Sequence, residues 1–384
     1  MARTSWQELA ATVLVSTLLP ALAFGQSKPR ARDLGIAFDG EPGALNAITD
    51  VSGLEVGHRT LISGSGKLEV GAGPVRTGVT AILPRGKQPD DPVFAGWFSL
   101  NGNGEMTGTT WVEESGFLEG PVMITNTHSV GTVRDSVIAW RVGRGGADSS
   151  GYWWSLPVVA ETWDGYLNDV NGFHVHQSDV FEALDRARSG TVPEGNVGGG
   201  TGMICYEFKG GIGTASRRLP TAAGGYTVGV LVQCNCGLRS QLTIAGVPIG
   251  REIPGHRVWS DETGSIIIVV ATDAPLLPHQ LKRLARRAAL GLARTGSVSG
   301  NGSGDIFIAF STANSGAATG PTTAALRMLS NEGMNPLFSA TVQATEEAIV
   351  NALVAAETMT GADDHMVMAL PHDRLQEILQ RHQR

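Results

Sequence analysis

Apolar positions in this chain fall into short strand-like runs over its first two thirds and into helical spacing towards its end. The clearest run is Ile266, Ile267, Ile268, Val269 and Val270, within DETGSIIIVVATDAP. Five consecutive β-branched residues predict a strand buried on both faces, because such side chains fit a pleated surface and the run lacks helical spacing. YTVGVLVQCN (226–235) and GDIFIAFST (304–312) predict two more strands, and KGGIGTASRRL (209–219) has the same character. Between Leu34 and Gly86, short apolar segments alternate with turn residues, as in NAITDVSGLEVGHRTL and VRTGVTAILPRG. GPVMITNTHSVGTVRDSVIAW reads as a buried strand, a polar turn and the start of a helix.

Helical spacing appears first in SDVFEALDRARSG, where Asp179 and Glu182 stand at capping-box spacing and Gly190 supplies the stop. HQLKRLARRAALGLARTG (279–296) predicts an amphipathic helix with Leu281, Leu284 and Leu290 on one side and arginines on the other. Further helices are predicted at TTAALRMLSN (322–331), TVQATEEAIVNALVAAETM (341–359) and HDRLQEILQRH (372–382), the last docking through Leu375, Ile378 and Leu379. Strands and helices with apolar faces, and no internal repeat or low-complexity linker, imply one layered α/β domain.

Composition adds limits to this picture. The 51 glycines are scattered through apolar segments, a pattern of tight turns and close backbone approach. Formal net charge is −7 with no basic tract, so nucleic acid is not an expected partner. At the N-terminus, Arg3 precedes an apolar stretch from Ala10 to Phe24 and a small-x-small site at Ala21-Leu22-Ala23. That segment reads as a signal peptide ending near residue 25, hence an exported, periplasmic or secreted bacterial protein with no membrane attachment after its removal. The odd count of Cys205, Cys234 and Cys236 predicts buried free thiols rather than a disulfide framework, and Cys234-x-Cys236 without a second pair is not a zinc motif. No helix carries two histidines at ligand spacing; the reading assigns neither a catalytic metal nor a cofactor.

The candidate chemistry clusters at strand ends. Gly264-Ser265 opens the strongest strand. Cleavage of that bond would give Ser265 a free α-amine, with a pKa of about 8, beside its own hydroxyl. Ser303 and Asp305 stand at i and i+2 at the head of another strand, so hydroxyl and carboxylate share one side. Asn235 ends the 226–235 strand and offers a side-chain amide as an oxyanion donor. In WWSLPVVAETWDGYLND, Glu161 lies between Trp153, Trp154 and Trp163, an acid among aromatics suited to a substrate ammonium. NVGGGTGM lacks the lysine and the strand–helix context of a nucleotide loop and is not assigned to one.

Taken jointly, NAITDVSGLEVGHRTL, NGNGEMTG, GPVMITNTHSVG, AETWDGYLND, GGGTGM, KGGIGTASR, GSIIIVVATDAPLLPHQLKRLARRA and SGDIFIAFSTAN resemble the L-aminopeptidase/D-esterase and β-peptidyl aminopeptidase family. The resemblance implies a four-layer αββα sandwich like that of N-terminal nucleophile hydrolases, with different connectivity. It implies a precursor that cuts itself at Gly264-Ser265 into an α-subunit (26–264) and a β-subunit (265–384), assembled as a homotetramer of αβ units. Residue by residue, it implies Ser265 as nucleophile, Ser303 and Asp305 as its partners, Asn235 as oxyanion donor, Glu161 as holder of the substrate amine, and Trp154 and Trp163 as pocket walls. Trp163 stands where the family has a tyrosine. The implied activity is release of N-terminal residues from short peptides, amino-acid amides or esters, D- and β-amino acids included. Two other readings stand beside it: an acyltransferase of the ornithine acetyltransferase type, and an exported binding protein without catalysis.

Overall fold

The computed structural model describes Met1 and residues 28–87, 91–145, 154–255, 257–258, 261, 264–319 and 322–382. The expected signal segment after Met1, and Trp153, lie outside these residues. In chain order the strands and helices begin with β1 (Glu55–Ser63), β2 (Val75–Lys87), β3 (Val93–Gly102), α1 (Thr109–Ser115), β4 (Phe117–Leu118), β5 (Val122–Asn126), α2 (Val130–Val142), β6 (Val158–Thr162) and α3 (Gln177–Asp185). They continue with β7 (Ile204–Cys205), β8 (Phe208–Lys209), β9 (Gly211–Arg218), β10 (Thr227–Asn235), α4 (Ile249–Glu252), β11 (Ser265–Thr272), α5 (Pro278–Arg294), β12 (Gly304–Ser311), α6 (Asn335–Val354), β13 (Met359–Thr360), β14 (Met366–Val367) and α7 (His372–His382).

Two sheets form the centre. One has the order β1-β2-β5-β6 and the other β4-β3-β12-β11-β10-β9. The period-2 alternation of each strand decides what its two faces bury. Ile266, Ile268 and Val270 of β11, with Phe307 and Ala309 of β12, face α5 and α6. Ile267 and Val269, with Ile306 and Ile308, point the other way and meet Ile82, Ile124, Val158 and Ala160 of the four-stranded sheet. Val79, Ala81, Met123 and Val159 on that sheet's outer face take Val133, Val137, Val180 and Leu184 from α2 and α3. The layers therefore run helix, sheet, sheet, helix: the αββα sandwich that the resemblance implied.

Several local expectations change. Leu290 is more than half exposed, while Leu281, Leu284, Ala285, Ala288 and Leu292 are buried. Nine residues separate Leu281 from Leu290, which is half a turn out of phase at 3.6 residues per turn. TTAALRMLSN forms no helix. Its backbone groups bond outside the segment, Arg327 N–H to the Asn314 side chain and Leu329 N–H to the Pro275 carbonyl, a single 3-10 turn covers Asn331–Gly333, and the next α-helix starts at Asn335. α3 is capped at His176, whose N–H donates to Asp179, and it stops at Asp185, well before Gly190. Free thiols are retained only at Cys236; Cys205 and Cys234 are joined in a disulfide that ties β7 to β10.

Candidate active site

Strand register assembles the first half of the site. Ser265 opens β11, where it pairs antiparallel with Asn235 at the end of β10. On its other side β11 runs parallel to β12, with Ile266 opposite Asp305. Three neighbouring strands thus bring Asn235, Ser265 and Asp305 to one end of the six-stranded sheet. The Ser265 hydroxyl accepts the Gly304 N–H at 3.1 Å. Ser303 Oγ donates to Asp305 Oδ1 at 2.7 Å, and the same carboxylate oxygen accepts the Ile266 N–H at 3.2 Å. Ser303 and Asp305 are wholly buried. The i, i+2 pair therefore converges as read from sequence, and Asp305 also bonds directly to the strand that carries Ser265.

Asn235 is held at both ends of its amide. Oδ1 accepts the Ile204 N–H at 2.7 Å and Nδ2 donates to the Trp163 carbonyl at 3.0 Å. These partners fix which end is the donor and leave one of its two N–H bonds for another acceptor. Gly264 is dictated by packing as much as by chemistry. A Cβ there would fall 2.1 Å from the Asn235 carbonyl oxygen, so only glycine lets the uncut chain pass.

The second half comes from the other sheet. Glu161, next to last in β6, is only 4 % exposed. Its Oε1 accepts the Glu105 N–H at 2.9 Å, and its Oε2 accepts the Thr127 hydroxyl. Burial pushes its carboxyl above the usual range, while these two donors pull against that shift. The next buried acid, Asp164, is pushed up to about 6 by burial despite bonds from Asn126 and Asn168. Gly104 closes the gap between the halves: a Cβ there would sit 3.2 Å from Gly304 Cα and 3.3 Å from Glu161 Oε1.

Ser265, Thr127, Glu161, Trp163 and Glu105 line an open cleft of about 750 Å³, with Gly102 and Gly302 on its rim. A smaller depression beneath Phe208 and Arg239 contains none of these groups, so the chemistry points to the cleft at Ser265. Trp163 lies in that cleft and is 42 % exposed. Trp154 is not among the cleft residues; it packs edge-on against Trp111 at 5.5 Å. Of the two tryptophans expected as pocket walls, only Trp163 lines the cleft. Sequence reasoning missed Thr127, Glu105 and the Gly304 N–H. The first two sit in ITNTHSVG and NGNGEMTG, motifs whose partner lies on a distant strand.

The GGG segment does not resemble a phosphate cradle. Gly198 and Gly199 N–H groups bond to Thr60 and Thr80 within the fold, and the buried Lys209 Nζ donates to the Gly200, Met203 and Gly210 carbonyls. The three buried cysteine sulfurs gather within 4.8 Å of one another.

A buried serine heading a central strand of an αββα sandwich, with a hydroxyl–carboxylate pair beside it and a buried acid across the cleft, defines a serine hydrolase of the N-terminal nucleophile type. Residues 46–367 match peptidase family S58. The chain is 54 % identical over 391 residues to the β-peptidyl aminopeptidase BapA of Sphingosinicella microcystinivorans, covering 97 % of each. It superposes on the L-aminopeptidase D-Ala-esterase/amidase of Ochrobactrum anthropi, described as a prototype serine aminopeptidase and a variant of the Ntn hydrolase fold. There the TM-score is 0.88 and the identity 50 %, over 93 % of this chain and 99 % of that one. A Burkholderia sp. β-aminopeptidase gives a TM-score of 0.84 at 49 % identity, over 92 % and 99 %. The chain belongs to peptidase family S58, and it is a serine-type aminopeptidase acting on peptides.

Proposed function

We propose that Ser265 is both the self-cleavage residue and the catalytic nucleophile, and that the enzyme removes N-terminal residues from short peptides, amino-acid amides or esters. The observation that carries this reading is the convergence of Ser265, Asn235, Ser303 and Asp305 at one sheet end, with Ser265 and Glu161 lining the same cleft. In the precursor, Ser265 Oγ attacks the Gly264 carbonyl carbon, the peptide C–N bond breaks and an ester forms. Water then releases the Gly264 carboxylate and leaves Ser265 with a free α-amine. The Ser265 nitrogen is an amide before the cut, so the Ser303–Asp305 pair is the group available to take the first proton. Afterwards the α-amine is available as well.

In the mature enzyme, Glu161 holds the substrate's ammonium and Ser265 Oγ attacks the carbonyl of the N-terminal residue. Asn235 Nδ2–H donates to the oxyanion, the rest of the peptide leaves as an amine, and water hydrolyses the acyl-enzyme. β-Amino-acid substrates follow from the likeness to BapA. Export through the signal segment, an α-subunit of residues 26–264, a β-subunit of residues 265–384 and a homotetramer of αβ units complete the reading. Among the described residues, no helix is long and apolar enough to cross a membrane.

N-terminal sequencing of the purified protein tests the reading: two chains are expected, one beginning at Ser265. A single full-length chain that still hydrolyses aminoacyl p-nitroanilides would refute the nucleophile assignment. Acyl transfer to an amine in preference to water would instead favour the acyltransferase.

A further inference from the structure

Two motifs have no part in the proposed mechanism, GGGTGM (198–203) and KGGIG (209–213). Lys209 ties them together. Its side chain is wholly buried, and Nζ donates to the Met203 carbonyl at 2.7 Å, the Gly210 carbonyl at 2.9 Å and the Gly200 carbonyl at 3.4 Å. Burial pushes the amine well below the ordinary lysine range, and the three carbonyls offset part of the cost of burying it. The Met203 carbonyl also accepts the Gly210 N–H at 2.9 Å, which closes the segment on itself. A Cβ on Gly210 would fall 2.5 Å from the Cys234 carbonyl oxygen, so the closed segment lies directly against the end of β10.

The residue after Met203 links this anchor to the chemistry. Ile204 donates its N–H to Asn235 Oδ1, while Asn235 Nδ2 donates to the Trp163 carbonyl. The two ends of an asparagine amide have nearly the same shape, so its partners decide which end can meet an oxyanion. If the Ile204 N–H moves away, the amide loses one of the two bonds that set its orientation. We propose that Lys209 is a positioning residue for the reaction. It fixes the 200–210 segment, and through the Ile204 N–H it holds Asn235 with its donor end available. This rests on the assignment of Asn235 as oxyanion donor.

The test is a double-mutant cycle that combines Lys209→Met, which removes the donors from an otherwise similar side chain, with Asn235→Ala. kcat and KM for an aminoacyl p-nitroanilide are measured per processed chain, counted by intact mass. Lys209→Met alone should lower kcat roughly tenfold with KM unchanged, short of the loss of about 10²–10³-fold when an oxyanion donor is removed. Lys209→Gln, which keeps an N–H donor, should lose less; it replaces Lys209→Met in the cycle if the methionine variant does not fold. In the Asn235→Ala background, the Lys209 substitution should lower kcat no further, because the group it positions is gone. Losses that multiply in the double variant, or a Lys209→Met enzyme with wild-type kcat, overturn the proposal and leave the role of Asn235 intact. Wild-type kcat in Asn235→Ala alone would instead remove the oxyanion assignment on which the proposal rests.

Discussion

The two central sheets contribute different things to the site. The six-stranded sheet carries the proposed nucleophile and its partners, and it does so through register. Asn235, Ser265 and Asp305 lie on adjacent strands and are tied together by hydrogen bonds along and between them. The four-stranded sheet supplies Glu161 and Trp163, held by groups distant in sequence: Thr127, the Glu105 N–H and the Asn235 side chain. On the proposed reading, one sheet carries the bond-making groups and the other holds the substrate. Asn235, bonded to the Trp163 carbonyl, links them.

If this division holds, substitutions on the two sheets should affect different kinetic constants. The largest effect belongs to Ser265→Ala, which should leave an uncut and inactive chain; two fragments in its intact mass would show that another residue makes the cut. Asn235→Ala comes next. In the processed enzyme it should lower kcat by about 10²–10³-fold with KM little changed, as loss of one oxyanion donor does. A change confined to KM would move Asn235 to the substrate-holding side.

The smallest of the three effects lies on the other sheet. Glu161 must be ionised to hold an ammonium, and its carboxyl is raised by burial. As pH falls, Glu161 is therefore neutralised earlier than an ordinary glutamate, and kcat/KM should decline on the acid side through a rising KM. Glu161→Gln should raise KM at neutral pH by roughly tenfold and remove that acid limb. A limb that persists in the variant would have to come from another group.

Much of the six-stranded sheet was legible in the chain. The β-branched run after Gly264 and the Ser-x-Asp spacing are local patterns, and backbone alternation alone carries them into three dimensions. The errors were local as well. Leu290 falls half a turn out of phase with Leu281 and so leaves the buried face, and TTAALRMLSN does not become an α-helix because its backbone bonds are taken by Asn314 and Pro275. The Cys205–Cys234 link was not expected because three cysteines suggest no unique pairing.

By itself, the sequence determined the kinds of element, the faces they bury, and the placing of a serine, an amide and a Ser-x-Asp pair at strand ends. It did so because periodicity and i, i+2 geometry belong to the local backbone. Only the tertiary structure decided that Glu161 would be buried across the cleft from Ser265, that Thr127 and Glu105 would support it, and that Trp154 would turn aside to Trp111. Those outcomes depend on how two sheets stack, and stacking brings together residues whose spacing along the chain carries no trace of the contact.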